Sequence, residues 1–236
     1  SIERKIRRRY FETHELLGRG NVLLAYQEKK IDYLKQIAQL RLKKIHKKAN
    51  YARATVYFDI SKFYIRGLHL GFNSLLDNIK LVFLVRDPLL NMKSYINRNK
   101  NFYLDNSSPY EKNNLLRLKN NLVKEELYLW SWCETFLRFK NIAQSKKIKK
   151  KLIINTSDLD NPNKIKKVFE SLEIKHRNIK SLTKINTNLQ EGRPMTKINV
   201  NDIKLLKKFM IKIPKENTEL INALKKSVIF HENSNL

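Results

Sequence analysis

The chain contains, at residues 79–95, the sequence IKLVFLVRDPLLNMKSY, from which the fold prediction starts. Leu81–Val85 is apolar throughout, as expected of a central parallel strand that is covered on both faces. The run stops at Arg86-Asp87-Pro88, and Pro88 suits the first turn of a helix because the N–H that proline lacks is not needed there. We therefore predict a buried strand over 81–85 and a helix from Pro88 to about Asn97.

Strand and helix patterns alternate along the rest of the chain, which is typical of βαβ units and a mainly parallel sheet. The patterns predict strands over Arg9–Thr13, Thr55–Ile60 and 152–154, helices over 22–48, 65–76, 110–143, 164–172, 200–211 and 217–226, and a basic turn over 146–151. We predict a three-layer α/β/α fold in one domain over 1–236. Its core is expected over about 10–175, followed by a less regular helical part over 176–236.

The chain is strongly basic, with 49 Lys and Arg against 22 Asp and Glu and a net charge of +27. Such a charge attracts phosphates, acidic sugars, nucleic acid and anionic membranes alike. It could equally come from lysines that fill solvated faces, so it favours an anionic ligand without naming one. No apolar run is long enough to span a membrane. The single cysteine, Cys133, fits a reducing compartment. We expect a cytoplasmic protein that could associate with an anionic membrane surface.

The end of the predicted strand over 81–85 is the place to look for a ligand, because open parallel sheets bind ligands beyond the carboxyl ends of their strands. Arg86 emerges where the strand stops, and Ser94 follows eight positions later, about two turns into the next helix. A guanidinium fork and a hydroxyl placed in this way could bind one phosphate from two sides. A plain strand-to-helix turn is the alternative interpretation.

This strand, Arg-Asp-Pro turn and serine resemble the 3′-phosphate-binding motif of PAPS-dependent sulfotransferases. The resemblance implies that Arg86 and Ser94 bind the 3′-phosphate of PAPS, the sulfate donor. It implies a P-loop-NTPase-like fold, PAP as product, and a hydroxyl acceptor on a carbohydrate or glycolipid. Looser similarities to the family lie at 57–66, 127–134, 152–159 and 168–172, so the resemblance covers roughly 10–175.

The sequence departs from the family at the loop that holds the 5′-phosphosulfate, a Gly/Ser/Thr-rich turn after the first strand. Gly18-Arg19-Gly20-Asn21 is the only candidate, and it lacks both the strand and the Ser or Thr. We expect that the loop preceded Ser1 and that this chain alone is inactive.

The acid/base group is the second departure. Sulfuryl transfer needs a base for the acceptor hydroxyl and cations that offset charge on the leaving phosphate. The resemblance points to Glu15 as the base, while Lys62 stands where the family often has histidine and would act as an electrostatic helper. A surface carboxylate and a solvated lysine are the alternatives. Arg193, in Gly192-Arg193-Pro194, is a candidate for a donor-covering loop.

Two other functions stay open at the level of sequence. A sulfotransferase-like domain without its catalytic loop could hold a nucleotide or glycan without turnover. A basic domain could bind nucleic acid, although no RNA-binding signature and no Cys/His zinc pattern is present, and we expect no specific nucleic-acid partner. The chemistry requires no metal, and the histidines lack metal-like spacing.

Overall fold

The computed structural model describes residues 21–59, 61–97, 108–119, 121–175 and 197–234, and most of these are helical. Eight α-helices and two strands are present in these ranges. The helices are α1 Asn21–Gln27, α2 Ile31–Tyr51, α3 His69–Asn73, α4 Pro88–Ile96, α5 Lys124–Ile142, α6 Pro162–Ser171, α7 Val200–Ile211 and α8 Thr218–Ser234. The strands are β1 Ile79–Val85 and β2 Ile148–Asn155. The strand predicted over Arg9–Thr13 lies outside the described residues.

Strands β1 and β2 pair in parallel, with Val82 opposite Leu152 and Val85 opposite Asn155. Both strands therefore end at the same edge of the sheet. The α/β character, the parallel pairing and the strand that ends before Arg86 are confirmed. Leu84 is half exposed, so β1 is less covered than its apolar sequence predicts.

Helix α5 forms the centre of the larger hydrophobic core and covers one face of the sheet. Trp130 and Leu129 on α5 are fully buried, and Phe83 of β1 stacks on Phe139 at a centroid distance of 4.5 Å. Helices α7 and α8 add further buried side chains, namely Ile203, Leu206, Phe209, Leu220, Leu224 and Val228. The helices predicted over 200–211 and 217–226 are confirmed, and their apolar stripes pack on α5. Residues 176–196 lie outside the described ranges.

A smaller core joins α1, α2 and α3. Leu34, Ile37 and Ala38 of α2 are buried in it. Gly71 of α3 allows the two helix backbones to approach closely, because a Cβ atom at this position would lie 2.2 Å from the carbonyl oxygen of Leu34.

The helix predicted over 110–143 begins only at Lys124. The residues before it, 108–119, form an irregular segment whose backbone is held by buried side chains of α5. Glu134 accepts hydrogen bonds from the N–H groups of Leu115 (3.1 Å) and Leu116 (2.7 Å), and Trp130 donates its indole N–H to the carbonyl of Leu116 (2.9 Å). These bonds replace the helical ones, so tertiary contacts override the local helix preference.

Arg138 completes this buried polar group. Its Nε donates to Glu134 Oε1 at 2.6 Å, and its Nη2 lies 3.4 Å from Asn114 Oδ1. Both ionised side chains are buried, so each charge depends on the other for compensation.

Two other predictions are wrong. Residues 55–59 form no strand, because the described residues offer them no partner strand and an isolated strand is not stable. The basic turn predicted over 146–151 ends at Ile148, where β2 begins. Pairing with β1 outweighs the low strand preference of Lys149, Lys150 and Lys151.

Replacing Glu134 with alanine should lower the free energy of unfolding by about 3–5 kcal/mol, because it leaves the Arg138 charge buried without its partner. Urea denaturation measures the change. Glu170→Ala is the matched control, since Glu170 meets Lys166 at 3.9 Å on the exposed face of α6 and such pairs contribute about 0–1 kcal/mol. Similar losses in both variants would contradict this account of the core.

Candidate functional site

The turn between β1 and α4 is built by its own three residues. Pro88 is the first residue of α4, and Asp87 caps the helix by accepting a hydrogen bond from the N–H of Leu90 at 2.9 Å. Both residue types are favoured at these positions, since proline needs no N–H there and a carboxylate satisfies an otherwise unpaired donor. The predicted helix start at Pro88 is confirmed.

Asp87 also joins this turn to the C-terminal helix α8. Ser227 Oγ donates to Asp87 Oδ2 at 2.5 Å, and His231 Nε2 lies 3.0 Å from Asp87 Oδ1. Ser227 and His231 are four residues apart on α8, so they face the same side of that helix. Both are buried. The carboxylate of the Arg-Asp-Pro turn therefore links β1, α4 and α8. No motif around Ser227 or His231 predicts this contact.

Arg86 lies directly after β1 and is half-buried. Its backbone carbonyl accepts a hydrogen bond from the indole N–H of Trp132 at 2.9 Å. Trp132 in turn stacks on Phe136 of α5 at 5.5 Å. The indole of Trp132 therefore packs within α5 and also fixes the main chain from which the Arg86 side chain leaves.

Ser94 is the seventh residue of α4 and is half-buried. Its neighbours anchor the helix on both sides. Lys93 pairs with Asp202 of α7 at 2.9 Å, and Tyr95 stacks on Tyr128 of α5 at 5.4 Å. Arg86 and Ser94 thus belong to one rigidly held unit of strand, turn and helix, and neither residue is sealed in the core.

The carboxyl ends of β1 and β2 bring further polar groups to the same edge. Asn155 is opposite Val85 and exposed, and it is followed by Thr156 and Ser157 in a short 3₁₀ turn. Hydroxyl and amide groups at this edge can donate hydrogen bonds to an anion. The arrangement is therefore suited to bind a phosphate beyond the sheet, at the place where parallel sheets hold ligands.

Lys62 is exposed and lies on the segment before α3, with Nζ 5.5 Å from the centroid of the Phe63 ring. This segment continues into a π-type turn, Tyr64–Leu68, that carries Arg66. The pKa of Arg66 is lowered to about 10, mainly by burial, with smaller contributions from Tyr95, which raises it, and from Arg138, which lowers it.

His69 follows the same turn and is held neutral. Burial lowers its pKa to about 4, and the positive charge of Arg138 adds to this effect, while a hydrogen bond from Nδ1 to the carbonyl of Tyr64 (3.1 Å) opposes it. Burial also raises the pKa of Cys133 well above its usual range. This buried thiol is a core group rather than a nucleophile.

Two predicted site residues, Glu15 and Arg193, lie outside the described residues, as does most of Gly18-Arg19-Gly20-Asn21. Within the described ranges, no group of three or more His, Cys, Asp or Glu side chains could hold a metal ion. In the part of the chain that the structure describes, no helix is both long enough and apolar enough to cross a bilayer.

Comparison with known proteins found no matching protein family, no matching curated protein and no matching solved structure.

The link between Asp87 and His231 should appear as a coupling energy. In a double-mutant cycle with Asp87→Ala and His231→Ala, we expect about 1 kcal/mol or more of coupling in the free energy of unfolding, because the two side chains share a partly buried hydrogen bond. A second cycle that combines Asp87→Ala with His46→Ala, an exposed position on α2, is the control, and the two changes in the free energy of unfolding should add. Additivity in both cycles would contradict the link.

His69 should make stability fall at acidic pH. Its pKa is about 4 when folded against 6.5 when unfolded, so the unfolded chain takes up a proton first as the pH falls. The contribution of His69 to the free energy of unfolding is complete above pH 6.5 and is lost as the pH falls to about 4. This change is on the order of 3 kcal/mol. Unfolding measured from pH 7 to pH 4 should show a shallower loss for His69→Gln than for wild type. If the free energy of unfolding falls in parallel for the variant and wild type, His69 does not cause the loss of stability at acidic pH.

Proposed function

We propose that this chain is part of a sulfotransferase, an enzyme that moves a sulfuryl group from PAPS to a hydroxyl of a carbohydrate or glycolipid, and that it carries the 3′-phosphate portion of the PAPS site. One observation carries the proposal. Arg86 follows a parallel strand at the sheet edge where ligands bind, Ser94 lies eight positions later on the next helix, and both side chains are half-buried. The spacing and the Arg-Asp-Pro turn between them are those of the motif that this sequence resembles.

In this proposal, Arg86 and Ser94 bind the 3′-phosphate of PAPS. A guanidinium suits this role because it presents two parallel N–H groups to a phosphate, and a serine hydroxyl donates a third hydrogen bond. The links from Asp87 to α8 and from Trp132 to the Arg86 carbonyl support the assignment, since a phosphate site needs donors that are held in place before the ligand arrives.

The chemical step is a direct transfer between two oxygens. The acceptor hydroxyl oxygen forms a bond to sulfur, the bond between sulfur and the phosphate oxygen breaks, and PAP leaves. Glu15 would take the proton of the hydroxyl, and Lys62 would offset the negative charge that develops. Arg193 would lie over the donor. We also propose that the chain has the three-layer, P-loop-NTPase-like fold, in which β1 and β2 are two of the parallel strands.

Binding of PAP, measured by isothermal titration calorimetry, tests the proposal without requiring turnover. We expect Arg86→Ala to weaken binding by roughly 10- to 100-fold, since a hydrogen bond to a charged group contributes about 1.5–3 kcal/mol. Ser94→Ala should cost roughly fivefold, because it removes one hydroxyl. Arg86→Lys should fall between wild type and alanine, as it keeps the charge and loses the fork.

Arg117→Ala is the control, because Arg117 is an exposed arginine on the segment before α5. It carries the same change of charge and should bind PAP like wild type. If Arg86→Ala and Arg117→Ala have the same affinity, Arg86 does not hold the phosphate and the proposal fails. An intact gene that encodes no strand and Gly/Ser/Thr-rich loop upstream of Ser1, together with binding of PAP, would favour the non-catalytic binding protein.

A further inference from the structure

Arg138 of α5 is a buried cation whose hydrogen bonds are only partly satisfied within the described chain. Its side chain is 2% exposed. Nε donates to Glu134 and Nη2 lies 3.4 Å from Asn114 Oδ1, but Nη1 is buried and has no acceptor among the described residues. Because an unsatisfied donor on a buried charge is costly, Nη1 marks a point at which an acceptor would stabilise the protein.

Glu134 already uses both of its oxygens, so it does not satisfy Nη1 as well. Oε1 accepts hydrogen bonds from Nε of Arg138 and from the N–H of Leu115, and Oε2 accepts one from the N–H of Leu116. The single negative charge of Glu134 is therefore matched to the single positive charge of Arg138. A further cation beside this pair makes the region electropositive.

Arg66 is this further cation. It is half-buried and lies on the π-type turn Tyr64–Leu68, which packs against α5. The pKa of Arg66 is lowered mainly by burial and, against the effect of Tyr95, by the positive charge of Arg138. The two guanidiniums therefore repel each other, and an anion placed between them would compensate for this repulsion.

The packing of the π-type turn is fixed by Gly67 and Tyr26. Gly67 has a φ of 142°, which side-chain-bearing residues rarely adopt, and a Cβ atom there would lie 2.5 Å from Cβ of Tyr26. Tyr26 fills this space, with its ring centroid 4.8 Å from the guanidinium carbon of Arg138 and 5.9 Å from the ring centroid of His69. Helix α1, the turn and α5 thus hold the two arginines in place before a ligand binds.

We propose that Arg138 and Arg66 bind a tetrahedral oxyanion of the phosphate or sulfate class between α5 and the π-type turn. Nη1 of Arg138 donates from the buried side, and the half-buried Arg66 donates from the side that solvent reaches. A tetrahedral anion presents oxygens in several directions, so it can accept from guanidiniums on two elements. A water molecule would satisfy Nη1 but would leave the second positive charge uncompensated. This site uses neither Arg86 nor Ser94 and does not depend on sulfuryl transfer.

Thermal unfolding of the full chain in sodium sulfate, against sodium chloride of equal ionic strength, tests the proposal. The Arg86→Ala chain is used, because it lacks the other proposed phosphate-binding arginine. Sulfate at roughly ten times its dissociation constant should raise the unfolding midpoint by about 3–6 °C. Adding Arg66→Gln should abolish this rise. Adding Arg117→Gln is the matched control, since Arg117 is exposed and the change of charge is the same, and it should leave the rise intact.

Selenate, a tetrahedral oxyanion that anomalous scattering can locate, tests the site in wild-type crystals without any variant. We expect a selenium peak between the two guanidiniums, with a selenate oxygen within hydrogen-bond distance of Arg138 Nη1. The absence of a peak there would overturn the proposal, whether water or another part of the chain satisfies Nη1. It would also be overturned if sulfate raised the midpoint equally with Arg66→Gln and with Arg117→Gln, or if Arg86→Ala alone abolished the rise.

Discussion

The carboxylate of Asp87 is the interaction on which the rest of the candidate site depends. It is bonded to the N–H of Leu90, the hydroxyl of Ser227 and the ring of His231, so one side chain connects the start of α4 with the C-terminal helix. Because a carboxylate offers several acceptor positions, three partners can be satisfied at once. The turn after β1 is therefore fixed from inside the chain and from a helix about 140 residues away.

The fixed turn matters because Arg86 and Ser94, the proposed phosphate-binding residues, lie on either side of it. Arg86 precedes Asp87, and its main chain is held by Trp132. Ser94 lies on the helix that Asp87 caps, between a lysine paired with α7 and a tyrosine stacked on α5. A phosphate site gains affinity when its donors need not be ordered on binding. Helices α5, α7 and α8 thus support a site whose candidate ligand-binding groups are on β1 and α4.

Local patterns predicted those parts of the fold that local chemistry decides. The apolar run before Arg86 and the proline at 88 each specify one feature of a strand-to-helix turn, and the structure has both. Asn161 and Pro162 mark the start of α6 in the same way. The positions of Arg86 after β1 and of Ser94 on α4 followed from this turn, so the sequence was sufficient to predict on which elements these two residues lie.

The remaining features depend on contacts between distant residues, which a single sequence does not reveal. Nothing near Ser227 or His231 indicates that they meet Asp87. The helix predicted from residue 110 is absent over the described residues 110–119 and 121–123, because Glu134 binds the backbone of 115–116 instead. The strand predicted over Thr55–Ile60 is absent over 55–59 because those described residues return beside α2 without a strand partner. In each case tertiary packing outweighs a correct local preference.

The positive charge of the chain is spread over many lysines, whereas Arg86 is one half-buried cation beside a fixed turn. A general excess of charge accounts for attraction to anions, and the proposed binding of one phosphate depends on the fixed positions of Arg86 and Ser94.

A crystal structure of the chain with PAP bound tests the central claim most directly. The account predicts that the 3′-phosphate lies between the guanidinium of Arg86 and the hydroxyl of Ser94, within hydrogen-bond distance of both. A PAP molecule whose phosphates lie elsewhere, with the Arg86 and Ser94 side chains directed away from each other, would contradict it.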